Sequence, residues 1–419
     1  VVYLKKVCHT ISVALIVILF FGSVAITSVA AKEQGPVGEI KLVSGDPVAN
    51  AQFGRSVAMA GDLVAVGEGG DGSIGAVYLY TRQGQDFIPE ATLDFPDELP
   101  DTCPETDVGN CPEFGRSVAI QGNTVFVGAR FAPVGELKAG AVYVFRKHDN
   151  SWQFVEKIIS STPQAGDNFG RAIAIQGDTL VVTARKENLG ANDVGAAYVY
   201  SYIDGWYQFQ TKITAGDPAP SAYFGQAVAL QDDLVVVTAR NADPNGAGAF
   251  YLFRRSTEGW NELAKVTPAD GEIDDQYGFS VAMAGNTIAI GARRANPDTL
   301  EDAGAVYLYS VNGDVVEPVT RLTPGDASAK DEFGQSVTIA GDTIAVGAWK
   351  DDKKLGAVYL FRLTDRQWAE SGKLSASDGV EGDEFGYSLA AFGNRMVTGA
   401  HFADARAGAA YVLPLRQLP

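Results

Sequence analysis

The feature that most constrains this chain is an internal repeat. The stretch Phe333-Gly-Gln-Ser-Val-Thr-Ile-Ala-Gly-Asp-Thr-Ile-Ala-Val-Gly-Ala348, followed after a loop by Gly356-Ala-Val-Tyr-Leu-Phe361, recurs along almost the whole length. Its leading aromatic-Gly pair starts at Phe53, Phe114, Phe169, Phe224, Tyr277, Phe333 and Phe385, at spacings of 61, 55, 55, 53, 56 and 52 residues. A second signature, Gly-Ala-(Val/Ala/Phe)-Tyr, begins at Gly75, Gly140, Gly195, Gly248, Gly304, Gly356 and Gly408. Seven copies of one unit imply a repeat architecture, in which a unit buries its apolar surface against its neighbours.

Inside each copy the pattern has period two. Ser56–Ala60, Leu63–Val66 and Ala76–Tyr80 read as short strands, A, B and C, bounded by Gly, Asp and Asn. The A–B junctions are two residues long, for example Gly61-Asp62 and Asp232-Asp233, where a tight hairpin wants a positive φ. A fourth strand, D, follows a second turn at Ser151–Ile158, Trp206–Ile213, Trp260–Val266, Val315–Leu322 and Trp368–Leu374. Four antiparallel strands repeated seven times predict an all-β, seven-bladed β-propeller. The last copy stops after strand C, at Gly408–Leu413, while Glu39–Asp46 matches Lys373–Asp378. The N-terminal strand is therefore expected to complete the last blade, which removes an exposed sheet edge. In such blades the A–B and C–D turns share one face of the disc, and the B–C and D–A loops share the other. The long, variable loops, such as 93–113, 130–139, 185–194 and 293–303, fall on that second face, which is the candidate binding surface.

The units Phe-Gly-x-Ser-Val, Val-Gly-Ala and Gly-Ala-Val-Tyr, as they stand from Phe333 to Tyr359, resemble FG-GAP repeats. Those are the blades of the seven-bladed propeller at the head of integrin α subunits and of many secreted bacterial proteins. The resemblance implies extracellular binding or adhesion through the loop face, although a fold alone does not fix a function. One family feature departs. Integrin-type blades often carry an Asp-x-Asp-x-Asp-Gly calcium loop between the first two strands, and here that junction is two residues in every blade. Asp71-Gly72 and Asp243-Pro-Asn-Gly246 lie in B–C loops and lack the ligand number a hard cation wants.

Residues 1–31 read as an export signal. Lys5 and Lys6 precede the apolar run Ile11–Ile26, and small residues, Ser28-Val-Ala-Ala31, follow it. An uncleaved membrane anchor is the alternative, since the run approaches the ~20 residues that span a bilayer. Residues 32–38 are then a short linker and 39–419 the propeller. The net charge is −18. Cleavage after Ala31 removes two lysines and no carboxylate, leaving −20. That balance argues against nucleic acid and anionic membrane surfaces as general partners. Cys103 and Cys111 share one loop and in an exported chain are expected to form a local disulfide. A metal site is the weaker rival, with no His beside them. An extracytoplasmic location follows.

Several constellations are candidates for function. One blade position directly after strand B carries Arg130, Arg185, Arg240, Arg293, Trp349 with Lys350 beside it, and His401, with Glu68 in the first blade. Such a ring grips an anionic group, or else forms structural ion pairs. The partners expected for the second reading are Asp46, Asp107, Asp217, Asp270, Asp326 and Asp378, seven residues before the aromatic-Gly pair, with Asp167, Asp275, Asp331 and Asp383 two residues before it. The doubled carboxylates Asp270/Asp275, Asp326/Asp331 and Asp378/Asp383 suggest calcium sites, against which stands the ordinary use of Asp to bond nearby backbone N–H groups. Trp152, Trp206, Trp260 and Trp368 fall at one strand-D position and read as packing rather than a sugar platform. Catalytic motifs are lacking: no G-x-S-x-G elbow, no phosphate loop before a helix and no His/Cys metal spacing. The reading is a non-enzymatic binding or adhesion module for a protein or glycan ligand, with no certain cofactor. The alternatives are a carbohydrate-active enzyme with a carboxylate pair in the central channel, and a cation-stabilised structural domain of an envelope assembly.

Overall fold

The computed structural model describes residues 32–34, 38–47, 50–70, 73–98, 103, 111–243 and 246–415. They form seven antiparallel sheets, each hydrogen-bonded in the order A–B–C–D. Blade 3 shows the pattern, with strands Phe169–Gln176, Thr179–Ala184, Ala196–Ile203 and Trp206–Ile213. Strands A of successive blades lie against one another at the hub, and strand D lies outermost. This explains the residue choice. Strand B is sandwiched between two neighbouring blades, so Thr179–Ala184 is buried at every position and reads as an almost continuous apolar run. Strand D meets solvent on its outer side, and Trp206–Ile213 is accordingly mostly exposed or half-buried.

The ring closes as the sequence predicts. Ile40–Leu42 pairs with the last strand, Ala409–Pro414, setting Ile40 opposite Val412 and Leu42 opposite Ala410. One feature was not foreseen: Lys32–Gln34, expected to be linker, pairs outside Ile40–Leu42 and gives this sheet a fifth strand. The expected export signal, residues 1–31, lies outside the described residues. Among those, no helix is long and apolar enough to cross a membrane. Cys103 and Cys111 form the expected disulfide, with Cα atoms 5.1 Å apart.

The repeat signatures are the blade-to-blade fasteners. All seven leading aromatics are fully buried. Each stacks edge-on against the strand-C tyrosine of its own blade, with ring centroids 5.3–5.7 Å apart, as in Phe53–Tyr78 and Phe333–Tyr359. Its backbone N–H donates to a B–C loop carbonyl of the preceding blade. Phe169 bonds Ala139 at 2.9 Å, Phe333 bonds Ala303 at 2.9 Å, and Phe53 bonds Ala407 at 3.0 Å across the ring closure. The glycine that opens Gly-Ala-Val-Tyr permits this approach. At Gly304, φ is +88° and an added Cβ would lie 2.0 Å from the Phe333 carbonyl oxygen.

A second fastener comes in two forms. In five blades a strand-A serine faces a strand-B glycine, and its hydroxyl donates to the carbonyl of the next blade's Phe-Gly glycine. Ser336 does so to Gly386 at 2.7 Å, and Ser388 to Gly54 at 2.8 Å. A side chain on Gly347 would meet that carbonyl at 1.9 Å. In blades 3 and 4 the pair is instead alanine and threonine. There the hydroxyls of Thr183 and Thr238 accept the N–H groups of Ala172 and Ala227 at 3.1 and 3.0 Å.

Candidate functional site

The loop face is built from these same junctions. The residue just before each aromatic, from Gln52 and Glu113 to Glu332 and Glu384, has a φ of +50° to +63° in all seven blades. Non-glycine residues adopt that conformation at a cost, and the bonds around them hold it. Glu113, Glu332 and Glu384 are buried at these positions and serve as the acceptors of the loop-face ring.

They take up most of the basic residues predicted to bind ligand. Arg130 pairs with Glu113 through Nη2 at 2.8 Å and Nε at 2.5 Å. Glu332 gathers three partners: Arg293 at 3.3 Å, the Trp349 indole N–H at 2.9 Å, and the Lys350 ammonium. Arg293 also bonds Gln276 and Gln335, and its guanidinium lies 3.8 Å from the centre of the Phe279 ring. His401 is buried, stacked on Tyr387 and 3.3 Å from Glu384. Burial, with Arg55 and Arg116 nearby, holds its pKa well below the usual value, while burial pushes the Glu384 carboxyl up to about 7. Arg130, Arg293, Trp349, Lys350 and His401 thus each meet a buried glutamate, as the structural alternative for this ring expects. The carboxylate set expected to pair with them is not the one that does. The partner is the residue immediately before the aromatic.

The aspartates have their own duties. Asp270 accepts from Tyr307 at 2.9 Å and Arg321 at 2.7 Å, Asp326 from Tyr359 at 2.7 Å and Lys373 at 2.8 Å, and Asp378 from Tyr411 at 2.8 Å and Lys41 at 2.7 Å. Asp217 does the same with Tyr251 and Lys265. In all four units the aspartate ties a D–A loop to strands C and D of the blade that follows it. Burial alone would raise Asp217, Asp326 and Asp378, but the lysine and tyrosine hydrogen bonds outweigh it and hold them low. Asp275, Asp331 and Asp383 bond the backbone N–H three residues earlier, at 2.8, 2.7 and 2.9 Å. Burial pushes Asp275 and Asp331 up to about 6, and Asp383 in the same direction. The two members of each predicted calcium pair are thus engaged separately. Among the described residues no three His, Cys, Asp or Glu side chains gather as a metal site. Asp107 lies outside the described residues.

The tryptophans are distributed as packing suggests, with one exception. Trp152 donates to Glu90 of the preceding blade at 2.7 Å, and Trp260 and Trp368 pack against interblade clusters. Trp206 is exposed.

Sequence reasoning missed an inner ring. The residue after each Phe-Gly, namely Arg55, Arg116, Arg171, Gln226, Phe279, Gln335 and Tyr387, lines a cavity of about 280 Å³ at the channel mouth. Three consecutive blades read Phe-Gly-Arg, and that signal was legible in the repeat. Below this ring the lining turns to Ser or Ala and then to Val, Ile or Leu. Among the described residues no Asp or Glu lines this cavity, so it does not supply the carboxylate pair of the alternative glycosidase reading. Two open grooves share the loop face, one beside Lys354, Val380 and Phe402 and one beside Lys330 and Lys353. The opposite face has an open depression of about 550 Å³ between the A–B turns of blades 3 and 4, lined by Gln176, Asp178, Asp232 and Arg255.

A closed ring of seven such blades defines a propeller whose repeated signatures are structural and whose variable surface is one loop face. The FG-GAP repeat family model matches residues 37–80, 106–145, 152–200, 207–253, 260–309, 317–361 and 368–413, and the chain belongs to that family. Six of the seven matched units start at or near strand D of one blade and end in strand C of the next, while 106–145 starts in the loop before blade 2. Comparison with curated proteins found no match.

Proposed function

We propose that the protein is an exported binding module that meets a protein or glycan ligand with its B–C and D–A loop face. The observation that carries this reading is the asymmetry of the disc. All long loops, the channel mouth and two grooves open on one side. The opposite side carries mostly two-residue turns. The loop face also exposes apolar side chains that no fold requirement explains: Ile273 is 78% and Val380 63% accessible, both on D–A loops. The disulfide and the FG-GAP repeats support an extracytoplasmic location.

The test is affinity capture from the medium and cell surface with the chain from Lys32 and with an I273D/V380D variant. Both side chains are solvent-exposed, so the variant keeps the parent melting temperature. A partner retained by the parent and lost by the variant supports the reading. Equal capture by both, or capture lost only when the A–B turn face is altered, refutes it.

A further inference from the structure

In one half of the inner ring two arginines, Arg116 and Arg171, have no close carboxylate partner among the described residues. In blades 5 to 7 Glu332 answers Arg293 and Lys350, and Glu384 lies 3.8 Å from Lys354. Blades 1 to 3 place Arg55, Arg116 and Arg171 on the wall of the same cavity, with Arg185 reaching in to bond Gln226 at 2.9 Å. Among the described residues, Glu113 pairs closely with Arg130 of the outer ring and reaches Arg116 only at 4.0 Å. Arg171 makes no hydrogen bond or ion pair to a described residue, and its Nε is buried without a partner. Nε of Arg185 and of Arg116 also lack a hydrogen bond.

Unneutralised guanidinium groups held together in a walled cavity are costly, because burial removes their water and each repels the next. The strain shows in their acidity. Burial, then the neighbouring arginines, lowers Arg185 to about 9, lowers Arg116 to about 10, and takes Arg171 well below its usual value. Nothing in the propeller fold demands arginine here, since the equivalent residues in blades 4 to 7 are Gln226, Phe279, Gln335 and Tyr387. The cluster also sits in a protein of net charge −18, so it is a local exception to the overall field.

We infer that the loop-face mouth of the channel is a binding site for a small oxyanion group carrying at least two negative charges, held by Arg116, Arg171 and Arg185. Guanidinium forks match the oxygens of sulfate, phosphate or paired carboxylates, and a divalent anion offsets several mutually repelling cations at once. A cavity of about 280 Å³ admits such a group, with small serine and alanine side chains below the arginines and then Val, Ile or Leu. This inference rests on the loop face being the ligand face and names the chemistry presented to its centre.

The probe is inorganic sulfate, titrated calorimetrically into the chain from Lys32 in chloride buffer at matched ionic strength, with melting temperature read in parallel. The parent is expected to bind saturably and to melt higher in sulfate. R171Q and R116Q are each expected to bind at least tenfold more weakly, to lose the sulfate-dependent rise, and to melt no lower than the parent in chloride because repulsion is relieved. R82Q, near the turn face, is expected to behave as the parent. No saturable sulfate binding, or binding unchanged in both R171Q and R116Q, overturns the site. That result would leave loop-face capture standing, whereas equal capture by the parent and I273D/V380D with intact sulfate binding would remove the loop-face reading and keep the anion site.

Discussion

Replacing Gly304 by alanine tests whether the repeat signature works by permitting blade-to-blade contact. The new Cβ would lie 2.0 Å from the Phe333 carbonyl oxygen, 2.5 Å from its nitrogen and 2.8 Å from its carbonyl carbon. Those atoms are backbone, so no rotamer change relieves the clash. The start of blade 6 must move away. That stretches the 2.9 Å bond from Phe333 N–H to Ala303 and disturbs a fully buried ring packed on Tyr359. Alanine at a positive φ costs about 1 kcal/mol, a buried backbone bond left unmade about 1–3, and displaced packing about 1–2, so roughly 4 kcal/mol in all. Gly341 is the control. It sits in an A–B turn at φ +60° with nothing within 4 Å of an added Cβ, so G341A carries only the backbone term of about 1 kcal/mol. Urea unfolding of the parent and both variants reads the difference. A G304A loss no larger than that of G341A would refute the contact argument.

The remaining predictions address acidity, coupling and the loop-face network. Asp167, Asp275 and Asp331 titrate at about 6 in the fold because burial disfavours their charge, against an ordinary value of 3.8. The native state thus holds these protons more tightly, and their contribution to stability rises as pH falls from 7 towards 4. His401, held low, acts in the opposite direction, so the measure is the melting temperature of the parent minus that of D167N/D275N/D331N. This difference should grow on acidification from pH 7.5 to 5 by the equivalent of at least about 1 kcal/mol. A flat difference would refute the assignment. G347T alone should destabilise blade 6, and adding S336A should recover part of the loss by recreating the Ala–Thr pair of blades 3 and 4. A thermal double-mutant cycle should show coupling of at least about 1 kcal/mol, and strict additivity would contradict it. E332Q leaves Arg293 and Lys350 without their buried carboxylate and should cost about 3 kcal/mol in urea unfolding. A neutral result would show that the Glu332 cluster is not structural.

The fold was legible because each repeat states its own strands, turns and period, and because the missing last strand reappears near Glu39. The site was legible only in part. The post-strand-B arginines are located correctly by counting, but a count along the chain cannot show that Glu113 or Glu332 turns inward. That turn depends on a positive φ at a residue type that rarely adopts it. The same limit hid the duty of Asp326, whose partners Tyr359 and Lys373 lie 33 and 47 residues away on other strands. The inner ring was overlooked for a different reason. Its residue type varies from Arg in blades 1 to 3 to Gln, Phe and Tyr beyond, so the sequence shows the three arginines but not that they meet in one cavity. Lys32–Gln34 was missed because three residues carry no usable period.

The most direct test of the binding reading is to tether the chain from Lys32 in two orientations and repeat the capture. T364C, at the exposed end of strand C beside the C–D turn, fixes biotin on the turn face and leaves the loops free. E381C, on an exposed D–A loop, does the reverse. Capture by the turn-tethered protein, sharply reduced when it is tethered through E381C, is the predicted result. Equal capture in both orientations, or capture only through the turn face, would contradict it.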